Sequence, residues 1–150
     1  MSEAGTDSGE RHVEIALTCR NRNRDTVCRM NWSDLELERN SAADLLTTEG
    51  LHRDSINRIY YAVYRRAAER VQRFGPFKGG RWANPPHDEV PGLLGCLSGY
   101  SNESKAEMRS IFNEMLKKRV DADYRPGVVI DETVVKEVYR KARKFKKLIG

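Results

Sequence analysis

Three short stretches of the chain carry side chains that could hold a phosphate or move a proton. The stretch from Asn57 to Tyr64 reads NRIYYAVY and combines one arginine with three tyrosines. A later stretch, from Arg119 to Tyr124, reads RVDADY, and His87 opens a third, HDEV, between the other two. Arginine binds phosphate oxygens and imidazole exchanges protons near neutral pH. These residue types are therefore candidates for chemistry at a phosphate group.

The same residues also allow simpler structural roles. Arg119 and Asp123 are four residues apart, a spacing at which two side chains meet on one face of a helix. Such a pair, if exposed, stabilises a protein by only about 0.3 to 0.5 kcal/mol. For His87, a place at the start or cap of a helix is the corresponding alternative.

Together, the R-x-Y-Y-A run at Arg58, the His-x-x-Val segment at His87 and the R-x-x-x-D-Y run at Arg119 resemble one branch of the HEPN superfamily. The resemblance covers Trp32 to Ile149. HEPN domains are helical bundles that commonly form homodimers. Many are metal-independent ribonucleases of toxin and antiviral systems, often encoded beside a minimal nucleotidyltransferase. The resemblance therefore implies an RNA-directed toxin or defence component, a homodimer, and a nucleotidyltransferase antitoxin as partner.

The nuclease members carry an R-x(4-6)-H motif where this chain has Arg119, and the chain departs from that motif. No histidine lies within six residues after Arg119, where Asp123 and Tyr124 stand instead. By resemblance, Arg119 would hold the phosphate. The functional hypothesis adds Tyr124 as an orienting hydroxyl or a stacking surface, with Asp123 beside it. His87 is then the candidate for the missing proton shuttle. The alternatives are a non-catalytic HEPN module that assembles with a nucleotidyltransferase or another enzyme, and a sensor that binds RNA or a nucleotide without cleavage.

Five residues form the predicted RNA-binding surface. Arg58 and Tyr61 lie off the expected buried stripe of their helix, where they can line a groove or a dimer face. Lys78, Arg81 and Trp82 lie in a loop rich in glycine and proline. Aromatic rings stack on unpaired bases and basic groups bind the RNA backbone, although a loop packed against the bundle fits this composition equally well. The net charge of +5 also favours an anionic partner.

Helices must position these residues, because apolar side chains recur at steps of three and four along most of the chain. The strongest pattern runs from Ile56 to Phe74 and places Tyr60 and Tyr64 on a buried stripe. A short helix is expected around His87 to Leu97. The prediction is an all-α, antiparallel four- to five-helix bundle of HEPN type over residues 31–150, preceded by an N-terminal extension over residues 1–30.

Capping residues set the other expected boundaries. Ser33 with Glu36, and Ser104 with Glu107, match the capping-box pattern, and Asp131 is a good N-cap. The helix that begins at Ser33 is expected to bury one apolar face, made of Leu35, Ala42, Leu45 and Leu46. Basic residues crowd the end of the last helix, where they suit the helix dipole or, alternatively, a phosphate-binding face.

Several other classes of protein do not fit the composition. No stretch approaches the 18 to 20 apolar residues of a membrane span and no secretory signal is evident, so we expect a cytoplasmic protein. Cys19, Cys28 and Cys96 lack metal-ligand spacing and predict neither a disulfide framework nor a zinc site. Gly79-Gly80 lacks the lysine and hydroxyl residue of a phosphate-binding P-loop. No cofactor is expected.

Overall fold

The computed structural model of the chain describes residues 32–79 and 83–150. The helices are α1 (Trp32–Thr48), α2 (His52–Phe74), α3 (Val90–Gly95), α4 (Asn102–Tyr124) and α5 (Glu132–Ile149). The described ranges contain helices and no strand, which confirms the predicted all-α bundle. The expected extension, residues 1–30, lies outside the described residues. Within the described part, no helix has both the length and the apolar character needed to cross a membrane.

Helix α2 is the centre of the bundle and packs against each of the other four helices. It buries a wide arc of its surface, because α1, α4 and α5 all pack extensively against it. Tyr60 and Tyr64 belong to this arc, as their positions in the apolar pattern predict. The largest side chains that complete the core come from the last two helices, among them Phe112, Met115 and Phe145.

The capping residues of α4 and α5 lie outside the helices, as N-caps should. Asp131 caps α5 as predicted, because its Oδ1 accepts a hydrogen bond from the backbone N–H of Val134 at 3.0 Å. Helix α4 begins at Asn102, two residues earlier than expected. Its cap is Ser101, whose Oγ accepts from the N–H of Ser104 at 3.1 Å. Two serines three residues apart both fit the N-cap pattern, and the first of them is used.

Helix α1 differs from its prediction in the surroundings of Glu36 and of Leu45. The carboxylate of Glu36 is buried, 2.8 Å from the ammonium of Lys146 and 3.8 Å from the guanidinium of Arg66. The helix begins at Trp32, so Ser33 lies inside it and not at the N-cap position that the capping-box pattern predicts. The prediction that Leu45 is buried is wrong, since this side chain is 63% exposed. Leu45 is two residues, or about 200° around the helix, from the fully buried Ala43. The buried side of α1 therefore contains Ala43 and Glu36, and Leu45 lies on the opposite side.

The basic end of α5 is tied to neighbouring helices. Lys141 contacts Glu114 of α4 and lies 3.0 Å from Glu137 of its own helix. Lys144 contacts Glu107 of α4, so Glu107 forms an ion pair between helices, not the capping box expected of it. These contacts give the lysines a role in packing α5 against the rest of the bundle.

Candidate functional site

His87 lies in the turn before α3, three residues ahead of Val90, and not in the helix expected to begin there. Its Nδ1 is 2.6 Å from the hydroxyl oxygen of Tyr60 on α2. Its ring stacks on that of Tyr64, one helical turn further along, with the ring centroids 4.0 Å apart. The hydroxyl of Tyr64 donates to the backbone carbonyl of Pro85 at 2.7 Å and so ties the turn to α2. Two tyrosines four residues apart therefore hold the ring of His87.

The surroundings of His87 favour its neutral form. Burial lowers the pKa of the imidazole below its ordinary value of 6.5, and the positive charges of Arg119 and Arg65 lower it further, while Asp88 acts weakly in the other direction. Burial also raises the pKa of the Tyr60 hydroxyl, which therefore stays protonated. A hydroxyl can donate to Nδ1 or accept from it. The contact with Tyr60 is thus compatible with a neutral His87 whose Nε2 accepts a proton.

Arg119 and Asp123 form the pair that their spacing in α4 predicts. The Nε of Arg119 is 2.7 Å from Oδ2 of Asp123. Its N–H is not aligned on an acceptor among the described residues, so the contact is mainly one of charge. The other carboxylate oxygen, Oδ1, accepts from the side-chain amide of Asn57 on α2 at 2.8 Å. Asp123 therefore holds Arg119 against α2, and Asn57 gains a role that only the structure assigns.

Tyr61 lies close to both His87 and Arg119. Its ring centroid is 5.7 Å from that of His87 and 5.8 Å from the Cζ of Arg119. The same guanidinium carbon is 5.5 Å from the ring centroid of Tyr124, a residue that is 68% exposed. The structure thus places the predicted catalytic residues His87 and Arg119 beside Tyr61, and places Asp123 and Tyr124 beside Arg119.

The predicted RNA-binding residues separate into two groups. Arg58 is exposed and lies three residues before the half-buried Tyr61, so the two share a face of α2 beside the site. Lys78 is exposed in the loop that follows α2. Arg81 and Trp82 lie outside the described residues. The structure therefore brings Arg58 and Tyr61 to the site and gives no position for the two largest loop residues.

A long-range contact fixes the end of α4, which carries Asp123 and Tyr124. The guanidinium of Arg53, in the first turn of α2, donates to backbone carbonyls 68 to 75 residues away. The acceptors are the carbonyls of Asp121 (3.2 Å), Ala122 (2.9 Å), Arg125 (3.3 Å), Pro126 (3.1 Å) and Val128. The last carbonyls of a helix lack partners within the helix, and a cation there also suits the helix dipole. No local sequence pattern indicates this role of Arg53.

The described ranges contain no group of three or more His, Cys, Asp or Glu side chains arranged to hold a metal ion. The chain matches no model of a known protein family, no curated protein and no solved structure at a significant level. The chemistry of the site is therefore inferred from its own residues, together with the resemblance of the three sequence stretches.

Proposed function

We propose that the chain is a HEPN-type, RNA-directed toxin or defence component of the cytoplasm that cleaves RNA without a metal ion. The observation that most supports this function is the position of a neutral His87 and of Arg119 next to the same ring, that of Tyr61. A neutral imidazole can accept a proton from a ribose hydroxyl, and a guanidinium can offset charge that develops on a phosphate. Both of these contributions accelerate the cleavage of RNA by its own 2′-hydroxyl.

In the proposed reaction, the Nε2 of His87 accepts the proton of the 2′-hydroxyl while the 2′-oxygen attacks the adjacent phosphorus. The bond between phosphorus and the 5′-oxygen breaks, and the 5′-oxygen takes a proton from water. The products are a 2′,3′-cyclic phosphate and a 5′-hydroxyl. Tyr60 accepts the hydrogen bond from the Nδ1–H of His87 and so orients the imidazole as it becomes charged.

The remaining residues contribute binding and position. Arg119 contacts the non-bridging phosphate oxygens, and Asp123 is a positioning residue because both of its oxygens already have partners. Tyr124 offers an exposed ring on which a base can stack. Arg58 extends the positive charge along the exposed face of α2.

A second candidate function is binding without cleavage, either as an RNA or nucleotide sensor or as an assembly module for a nucleotidyltransferase. The close pair between Arg119 and Asp123 favours it, because the carboxylate offsets part of the positive charge and repels a phosphate. The first function predicts that RNA is cleaved, and the second predicts that RNA stays intact.

The deciding experiment incubates the protein with total RNA and transfer RNA in EDTA. We expect fragments that end in a 2′,3′-cyclic phosphate, and a loss of cleavage of about 100-fold or more in His87→Ala, the usual contribution of a general base. Arg119→Ala should be similarly inactive. His52→Ala and Lys117→Ala are the matched controls, since one removes the histidine at the start of α2 and the other an exposed cation of α4. Both should cleave like the unchanged protein.

The alternative outcomes separate the two candidates. Intact RNA that binds with a steep salt dependence, lost in Arg119→Ala, would favour the sensor. Intact RNA with no binding, together with a stable complex with a nucleotidyltransferase, would favour the assembly module. Cleavage that persists in His87→Ala would remove this histidine from the mechanism.

We also propose a homodimer and a nucleotidyltransferase antitoxin, on the basis of the HEPN resemblance. The side chain of Val129, which follows the end of α4 and is 81% exposed, gives the dimer an apolar contact. Light scattering should report a dimer for the unchanged chain and a monomer for Val129→Glu. A monomer in both would contradict the dimer.

A further inference from the structure

An open recess of about 660 Å³ adjoins His87 on the side of the turn before α3. Its lining includes Tyr64, Asn84, Pro85, Pro86, His87 and Asp88. Most of the surface is apolar, since proline and tyrosine rings provide it. Recesses of about 300 to 1,000 Å³ with apolar walls and a few polar groups are typical of sites for small ligands. A flat, polar-edged ring such as a nucleobase suits this shape and composition.

The polar groups of the recess differ in what they offer a ligand. Asp88 is exposed and presents a carboxylate, which only accepts hydrogen bonds when ionised. The Oδ1 of Asn84 lies 3.4 Å from the side-chain Nε2 of Gln72, which donates to it. This contact orients the Asn84 amide so that its Nδ2 is the group that remains to donate. The recess thus combines a double acceptor with a donor.

We infer that this recess binds a guanine base of the RNA and that Asp88 and Asn84 select it. The inference rests on the proposed action on RNA and names the base that lies next to the cleaved phosphate. Guanine presents two adjacent donors, N1–H and N2–H, which fit the carboxylate of Asp88, and beside them the acceptor O6, which fits Nδ2 of Asn84.

The other three bases do not match this arrangement. Adenine and cytosine each place an unprotonated ring nitrogen, an acceptor, where the carboxylate of Asp88 needs a donor. Uracil has a single N–H donor between two carbonyl acceptors, so one carboxylate oxygen would face a carbonyl oxygen. Such mismatches bring two acceptors together or leave Asp88 or Asn84 without a partner on the base, which is how hydrogen-bonding sites reject similar ligands.

The charge of Asp88 supports a role in base recognition rather than in phosphate binding. A carboxylate repels phosphate, and at this site Arg119 and Arg65 supply the positive charge that acts on His87. An acidic residue beside these cations would weaken binding of RNA in general. It strengthens binding only where it meets donor groups, and bases are the part of RNA that offers two such groups side by side.

The test measures binding of the four 3′-mononucleotides, whose phosphate can reach His87 and Arg119 while the base occupies the recess. Binding is followed by the NMR signals of the His87 imidazole. We expect 3′-GMP to bind about tenfold more tightly than 3′-AMP, 3′-CMP or 3′-UMP. Asp88→Asn should reduce this preference to below threefold, because an amide group replaces one acceptor oxygen. Glu89→Gln, the same change of charge at the exposed neighbour, should keep it.

The outcomes separate this inference from the proposed function. Equal binding of all four nucleotides, or a guanine preference that survives in Asp88→Asn, would overturn the guanine site. Arg119→Ala should weaken all four nucleotides by the same factor, since it acts on the phosphate and not on the base. If the guanine preference is absent but RNA is still cleaved in EDTA, the guanine inference fails and the nuclease proposal stands. With guanine-selective binding but no cleavage, the guanine inference would stand and the nuclease proposal would fail.

Discussion

Replacement of Arg53 by methionine is expected to destabilise the protein by about 2 to 3 kcal/mol, although this residue lies outside the hydrophobic core. Methionine keeps much of the side-chain length and removes every donor. The change leaves the carbonyls at the end of α4 without the guanidinium that now binds them. It should therefore act on the segment that carries Asp123 and Tyr124.

The magnitude follows from the exposure of each bond. The bonds to the carbonyls of Asp121 (3.2 Å) and Ala122 (2.9 Å) are partly buried, and each is expected to contribute about 1 kcal/mol. The loss of a cation at a helix C-terminus adds about 0.5 kcal/mol. The three remaining carbonyls are exposed and can bind water instead, so they add little. For a domain of this size, the melting temperature should fall by about 8 to 12 °C.

Urea unfolding and thermal melting, followed by circular dichroism, measure the change in the free energy of unfolding. Arg73→Met is the matched control, because Arg73 lies on the same helix, is 70% exposed and makes only surface contacts, with Glu69 at 3.9 Å and with the half-exposed ring of Phe74 at 5.5 Å among the described residues. The control should lose less than about 0.5 kcal/mol. Arg53→Lys should be intermediate, since a single ammonium cannot span all five carbonyls. A loss in Arg53→Met no larger than that in Arg73→Met would refute the reasoning.

Two further predictions concern charge. Burial and Arg119 lower the pKa of His87 in the folded protein below its ordinary value of 6.5, so the unfolded chain binds a proton on this imidazole more tightly. The stability that His87 contributes is therefore complete above about pH 6.5 and is lost as the pH falls towards the pKa of the folded state. An NMR titration should give an imidazole midpoint below 6.5 that rises in Arg119→Ala, and a midpoint at or above 6.5 would contradict this account. Lys146→Met should destabilise the protein by about 1 to 2 kcal/mol in urea unfolding, because it removes the closest cation from the buried carboxylate of Glu36. The exposed neighbour Lys147 provides the control, and equal losses in the two variants would show that Glu36 does not depend on the ion pair.

Local patterns in the sequence were sufficient to predict much of the bundle. The apolar period of α2 places Tyr60 and Tyr64 in the core, where both are buried. Asp131 is the N-cap of α5 for a reason that involves only its own side chain and the N–H three residues later. The same local rule brings Arg119 to Asp123 within one helix. Such features depend on neighbours within about one helical turn, and the sequence contains all the information that they require.

The tertiary structure decided the features that join distant parts of the chain. The sequence places Glu36 in a capping-box pattern, and only the packing of the helices brings Lys146 of α5 to its buried carboxylate. Leu45 is apolar and was predicted to be buried, but it is exposed because a different side of α1 packs against α2. These choices depend on how helices pack, which the order of residues within one helix does not specify.

The candidate site shows the same division. The sequence alone identified the tyrosines, His87 and Arg119 as residues capable of chemistry, because that capacity belongs to the side chain itself. It could not place the ring of His87 against Tyr60, 27 residues away, or direct Arg53 to carbonyls at least 68 residues away. Contacts across such separations form only when the whole bundle folds, since packing of α2 against the other helices brings their ends together.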